Sequence, residues 1–209
     1  MDSERHNGIL ATTQPNLTEE HLAASAVGVQ KGQATGLCWF VAVVKNLTEI
    51  SCAEALRKMG FEVYVPTETR VSETPTGKRH ERSRALISAR LFIHATEDER
   101  QRAVNTPYIL RFMTDIAGRT DDWGHRPLAV IPDGQMQALQ YMVFNATKPV
   151  SIAEGGLVRG DRVKVMRGPL KGLEGIVERD PNGVSRIYIT LDTFGCASTE
   201  LDLESVAKA

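Results

Sequence analysis

The sequence predicts an α+β protein built in two unlike parts: an α/β sandwich with a mixed sheet, followed by a small all-β barrel. Three observations predict it. Helical patterns alternate with short β-prone runs over residues 37–144, the mark of a layered α/β unit. Residues 145–157, running from Asn145-Ala146-Thr147-Lys148-Pro149 to Glu154-Gly155-Gly156, have the composition of a linker. Beyond them the apolar period becomes two, with Val163 and Val165, then Ile187, Ile189 and Leu191, alternating; about 50 residues of this kind suit a small barrel.

The elements follow in order. Residues 1–36 are polar and weakly patterned and read as a disordered tail, with one candidate helix at Thr18–Ala26. Cys38-Trp39-Phe40-Val41-Ala42-Val43-Val44 reads as a central strand. Thr48 as N-cap, threefold-spaced Ile50, Ala53, Leu56 and Met59, and Gly60 as C′ predict a helix over 49–59. Phe61–Pro66 alternates as a second strand, 67–84 is polar with a turn at 74–77, and 85–95 reads as a third strand that contains Leu91-Phe92-Ile93. Thr96 and Glu99 form a capping box for a helix over 97–104. Short strands are expected in 109–114 and 128–131, a loop over 117–126, and a helix capped by Asp133.

Composition narrows the function. With 209 residues, 42% hydrophobic and 24% charged, the chain can build an ordinary core. A net charge of -1 gives no global basic field, so nucleic-acid binding requires a local patch. Cys38, Cys52 and Cys196 form no C-x-x-C pair, and His6, His21, His80, His94 and His125 are scattered, so no metal or cofactor is expected. Reduced thiols, no apolar run of spanning length and no signal-peptide pattern lead to the expectation of a cytoplasmic protein. No phosphate-cradling Gly loop, nucleophile elbow or H-E-x-x-H is present, and no enzyme is expected. One local patch stands out: residues 70–90 hold Arg70, Lys78, Arg79, Arg82, Arg84 and Arg90 against Glu73 and Glu81, six cations against two acids and a net of +4. Such a cluster suits phosphate contacts.

Residues 158–178 carry Gly168-Pro169 at a tight turn, and Gly172 and Gly175 where the chain bends or backbones approach closely. This stretch resembles the KOW motif, which NusG-type transcription factors share with some ribosomal proteins. Leu191-Asp192-Thr193-Phe194-Gly195 and Glu200–Val206 resemble the end of a NusG C-terminal domain. Upstream, Trp39-Phe40-Val41, Val65-Pro66-Thr67, Gly77-Lys78-Arg79, Leu91-Phe92-Ile93, Asn105-Thr106-Pro107, Arg111-Phe112 and Ile131-Pro132-Asp133-Gly134-Gln135-Met136 resemble successive segments of a NusG N-terminal domain. The segment from Asn105-Thr106-Pro107 to Arg111-Phe112 and the segment Ile131–Met136 look most like the specialised capsule-locus (UpxY-type) paralogues related to RfaH. The resemblance runs over roughly 37–207.

It implies a NusG N-terminal domain over 37–144, a linker over 145–157 and an SH3-like KOW barrel over 158–209. It implies binding to the clamp helices of the large RNA polymerase subunit through Val43, Ile87, Ser88, Arg90 and Phe112. Here Ile87-Ser88-Ala89-Arg90 stands where the family has a Pro and an aromatic. Lys78, Arg79, Arg82 and Arg84 would contact non-template DNA, and Phe194 with Thr193 would anchor a partner such as a small-subunit ribosomal protein. Thr193 and Cys196 depart from the housekeeping Ile-Phe-Gly-Arg pattern, which implies weak Rho binding. The implied function is a monomeric antiterminator for a specific operon. The alternatives are a housekeeping NusG and, in another class, a ribosomal RNA-binding KOW protein, which would be strongly basic.

Overall fold

The computed structural model describes residues 36–73, 79–155, 160–179, 183–201 and 206–208. The expected tail and its candidate helix at Thr18–Ala26 lie outside them except for Gly36, as does the turn at 74–77.

The first part contains β1 (Cys38–Val43), α1 (Glu49–Lys58), β2 (Glu62–Tyr64), β3 (Thr67–Glu73), β4 (Arg79–Ala85), β5 (Arg90–Ala95), α2 (Glu97–Val104), β6 (Arg111–Phe112), β7 (Val130–Ile131) and α3 (Asp133–Asn145). The main sheet runs β2-β5-β1-β6, with β7 also on β1. Its pairings are all antiparallel, which corrects the expected mixed sheet. The alternation of helix and strand is real, but each crossover skips a strand. The α1 connection from β1 to β2 passes over β5, and the α2 connection from β5 to β6 passes over β1. Strands of like direction are therefore never neighbours, as in split β-α-β units.

Local signals set the helix ends. Thr96 and Glu99 make the expected capping box at α2. Gly60 takes φ 90 just past α1, the left-handed C′ that glycine allows. Two caps differ from expectation. Thr48 is the N-cap of α1, but its hydroxyl donates to the Lys45 carbonyl at 2.6 Å and accepts from the Cys52 thiol at 3.3 Å rather than from a backbone N–H. Pro132, not Asp133, is the N-cap of α3, because Asp133 faces His94. The third strand begins at Arg90, since Ala85 closes β4 and Ala89 turns the chain at φ 56.

The second part is a six-stranded antiparallel sheet in the order β13-β9-β10-β11-β12-β8. Its strands are β8 (Ser151–Glu154), β9 (Asp161–Val165), β10 (Glu174–Arg179), β11 (Ser185–Leu191), β12 (Gly195–Glu200) and β13 (Val206–Lys208). β8 lies inside the stretch read as linker. Its register, Cys196↔Ala153 and Ala197↔Ile152, makes it an edge of the module. Ser185, Ile187, Ile189 and Leu191 are buried in strict alternation, confirming the period of two. Gly175 is where backbones meet: a Cβ there would lie 2.5 Å from the Tyr188 carbonyl oxygen.

The two parts are packed together. Buried Trp39, Val41, Phe92, Ile131, Leu139 and Met142 share one apolar cluster with Ile187, Ile189, Leu191 and Phe194 of the module. Phe92 and Phe194 meet edge to face at 5.7 Å. Polar contacts rim the contact: Asp192 N–H donates to Gln135 Oε1 at 2.6 Å, Thr193 Oγ1 to the Val130 carbonyl at 3.2 Å and Tyr141 OH to the Lys171 carbonyl at 2.8 Å. Arg90 pairs with Glu154 at 3.3 Å.

Two substitutions test this packing. Gly175→Ala forces β10 away from β11 and destabilises the module by about 1–3 kcal/mol, the usual cost of overpacking; chemical denaturation monitored in the module reads it. Phe194→Ala removes about 3–5 kcal/mol of packing. The expected outcome is separation of the two parts, seen as a larger radius of gyration in small-angle scattering, with the far-UV spectrum retained.

Candidate nucleic-acid and polymerase interface

The cationic segment folds as a hairpin of its own. β3 and β4 pair in register from Thr67↔Ala85 to Glu73↔Arg79 and form a two-stranded sheet apart from the main one. Its root is tied by the Leu86 N–H to the Pro66 carbonyl at 2.8 Å. Arg82 and Arg84 are exposed. In register, Arg70 stands opposite Arg82 and Glu68 opposite Arg84. Arg79 is at the far end of the described pairing, and Lys78 lies outside the described residues. Arg90, counted with this cluster from sequence, belongs instead to the main sheet and the Glu154 ion pair.

The residues implied for polymerase binding are divided between the faces of the main sheet. Val43 and Arg90 are cross-strand partners and share a face. The Arg90 guanidinium reaches Met113 Sδ as well as Glu154. Phe112 lies on the opposite face, buried against Phe40 at 6.0 Å with the Arg100 guanidinium over its ring. Ile87 is buried and Ser88 exposed in the turn leading to β5. That turn is held by Glu49, whose carboxylate is buried and accepts the N–H groups of Ala89 at 2.5 Å and Leu47 at 3.2 Å. Both are non-glycine residues at positive φ, 56 and 65, a conformation that persists only where the surroundings impose it. Leu47 and Leu110 are exposed at this end of β1, beside a cleft of about 360 Å³ lined by Lys45, Cys52, Pro107 and Tyr108 among others.

Thr193 and Phe194 come together at the β11–β12 turn, where Thr193 takes φ 62. Phe194 is 3% exposed; the partner anchor expected at the surface is covered by the N-terminal sheet. The sequence marks Phe92, the ring that covers it, only as part of a strand.

His94 stacks on Trp39 at 4.7 Å, with Glu62 at 2.7 Å and Asp133 at 3.5 Å from its ring nitrogens. Burial, then the charge of Asp133, pushes the Cys38 thiol above its usual range. Burial does the same to the Tyr64 phenol and to Cys196. Among the described residues no cluster of His, Cys, Asp and Glu could hold a metal ion, and no helix is long and apolar enough to cross a membrane.

Residues 37–140 match a family model described as "NusG: Transcription termination factor nusG". No curated protein sequence matches the chain. Among solved structures, it is similar to one titled "Domain interaction in Thermotoga maritima NusG", at 17% identity and TM-score 0.44, covering 83% of this chain and 97% of that one. It is also similar to conformations A and B of the MjSpt4:Spt5 complex, each at 13% identity and TM-score 0.25, covering 82% of this chain and 97% and 96% of theirs. Residues 37–140 thus form the part of the chain that matches the NusG family of transcription factors.

Proposed function

We infer that this protein is an elongation factor that holds the RNA polymerase clamp and opposes pausing and termination on a particular operon, such as one for polysaccharide synthesis. The observation that carries the reading is the arginine-bearing hairpin, which stands apart from the sheet of a NusG-family domain with Arg82 and Arg84 exposed. The hairpin contacts the phosphates of the non-template strand while the body of the domain holds the clamp helices. A clamp closed over DNA opposes pausing by binding alone, with no covalent chemistry.

On this reading the clamp contacts divide by sheet face. Ser88 and Arg90 offer polar contacts at the edge of the face that carries Val43. Phe112, itself in β6, lies on the opposite face and packs against Phe40. The apolar part of that face, Phe92 above all, is occupied by Phe194 of the module. A clamp contact there and the docked module exclude one another, so the two parts separate before binding. Separation frees Phe194 and Thr193 at the same time for a partner such as a small-subunit ribosomal protein. Mutual covering of both faces supports a factor recruited to selected transcripts over one acting on every transcript.

The test is charge reversal of Arg79, Arg82 and Arg84 together. With purified polymerase, the triple variant is expected to lose pause suppression. Its affinity for a single strand should depend less steeply on salt, the log–log slope falling by about 2 for three lost phosphate contacts. Unchanged pausing together with unchanged salt dependence would overturn the reading.

A further inference from the structure

Glu49 opens α1 and is 5% exposed. Burying a carboxylate is costly unless hydrogen bonds compensate it. The helix N-terminus favours an anion at this position, and two backbone donors complete its cradle. Both reach the same oxygen: Glu49 Oε1 accepts the Ala89 N–H at 2.5 Å and the Leu47 N–H at 3.2 Å.

The two donors belong to different turns. Leu47 lies between β1 and α1, and Ala89 between β4 and β5. Both take positive φ, 65 and 56, a region that residues with a Cβ rarely visit. Ala89 is clasped on its other side as well. Its carbonyl accepts the Val44 N–H at 3.0 Å and Arg90 Nη1 at 3.2 Å. The run Leu86-Ile87-Ser88-Ala89-Arg90 holds no glycine or proline, so its own residues do not prescribe the turn. The conformation is imposed from outside, by α1 through Glu49 and by the end of β1 through Val44. Next to Ala89 stand Ser88, which is exposed, and Arg90, which starts β5. The directions in which these two side chains leave the turn follow from the backbone at Ala89.

We propose that Glu49 is a positioning residue for the polymerase contact: by holding Ala89 in the left-handed conformation it sets the presentation of Ser88 and Arg90, without touching the polymerase itself. The proposal rests on the reading of Ser88 and Arg90 as clamp contacts given above. Through the same oxygen the β1–α1 turn at Leu47 and the contact turn are fixed together.

The experiment measures the affinity of the full chain for purified RNA polymerase and the hydrogen-exchange rate of the Ala89 amide. Each variant is made in the parent and in the Phe194→Ala chain, so that a change in docking of the module does not pass for a change in the contact. Glu49→Gln keeps a carbonyl oxygen that can accept both N–H groups; it should retain Ala89 protection and an affinity close to the parent's. Glu49→Ala should lose the protection and about tenfold in affinity, the scale of a hydrogen bond to a charged group. Glu49→Asp keeps the charge but withdraws the oxygen by a methylene, and is expected to behave as Glu49→Ala does; it takes that variant's place if Glu49→Ala does not fold. Adding Ala89→Gly to Glu49→Ala should recover most of the affinity, because glycine adopts positive φ without help, while the Glu49 hydrogen bonds stay absent. A role in stability alone would give no such recovery. Parental affinity in Glu49→Ala, or no recovery on adding Ala89→Gly, overturns the proposal. Ser88→Trp separates it from the clamp reading. If the bulky residue at this exposed position leaves polymerase affinity unchanged, the clamp reading of the turn fails and takes the proposal with it. If Ser88→Trp weakens binding and Glu49→Ala does not, the proposal alone fails.

Discussion

β1 carries Trp39, Phe40, Val41, Ala42 and Val43, all buried and none polar. A strand of this kind at the centre of a sheet needs cover on both faces. On one side Phe40, Ala42 and Val44 pack with Ala53, Leu56 and Ala103 of α1 and α2. On the other, Trp39 and Val41 pack with Met136, Leu139 and Met142 of α3 and with the β module. The helix α3 is a partial cover, and the module completes it. The docking of the second part is thus a consequence of the apolar second face of the first. The Phe92–Phe194 contact, the Arg90–Glu154 pair and the Gln135 bond follow from that covering.

The same constraint sorts the molecule into buried and projecting regions. The sheet faces are committed to packing. Among the described residues, what remains for long reach is the β3–β4 hairpin, which meets the core through Ala85, and the β6–β7 loop. Both carry arginine, and the loop adds an exposed indole. Rigid backbone bonds hold the loop in place, and a scaffold-positioned loop is where binding residues concentrate. Glu49 plays a similar part beyond the end of β1, where one buried carboxylate fixes two turns in otherwise unfavourable conformations.

Much of the architecture was legible in the order of residues. The capping box at Thr96, the C′ glycine at Gly60 and the alternation of Ile187, Ile189 and Leu191 are local signals, and local physics honours them. Others were overridden from a distance. Asp133 is a good N-cap residue but turns to His94, a residue nearly forty positions earlier. Residues 151–154 have a linker's flanks but find the edge of β12. Arg90 reads as one more cation in a basic run, yet the start of β5 places it beside Glu154.

The sequence by itself determined the two parts, their periods, the cationic hairpin and the likeness to NusG, because each depends on neighbours within a turn or a strand. Only the tertiary structure decided that the main sheet is antiparallel, since that depends on which strand each crossover skips. Only it decided that Phe112 and Val43 face opposite ways, that Phe194 is covered and that Trp123 is not. An aromatic residue reads the same in a sequence whether it closes a core or stands in solvent. Its role is set by what packs over it, and here those partners come from distant segments of the chain.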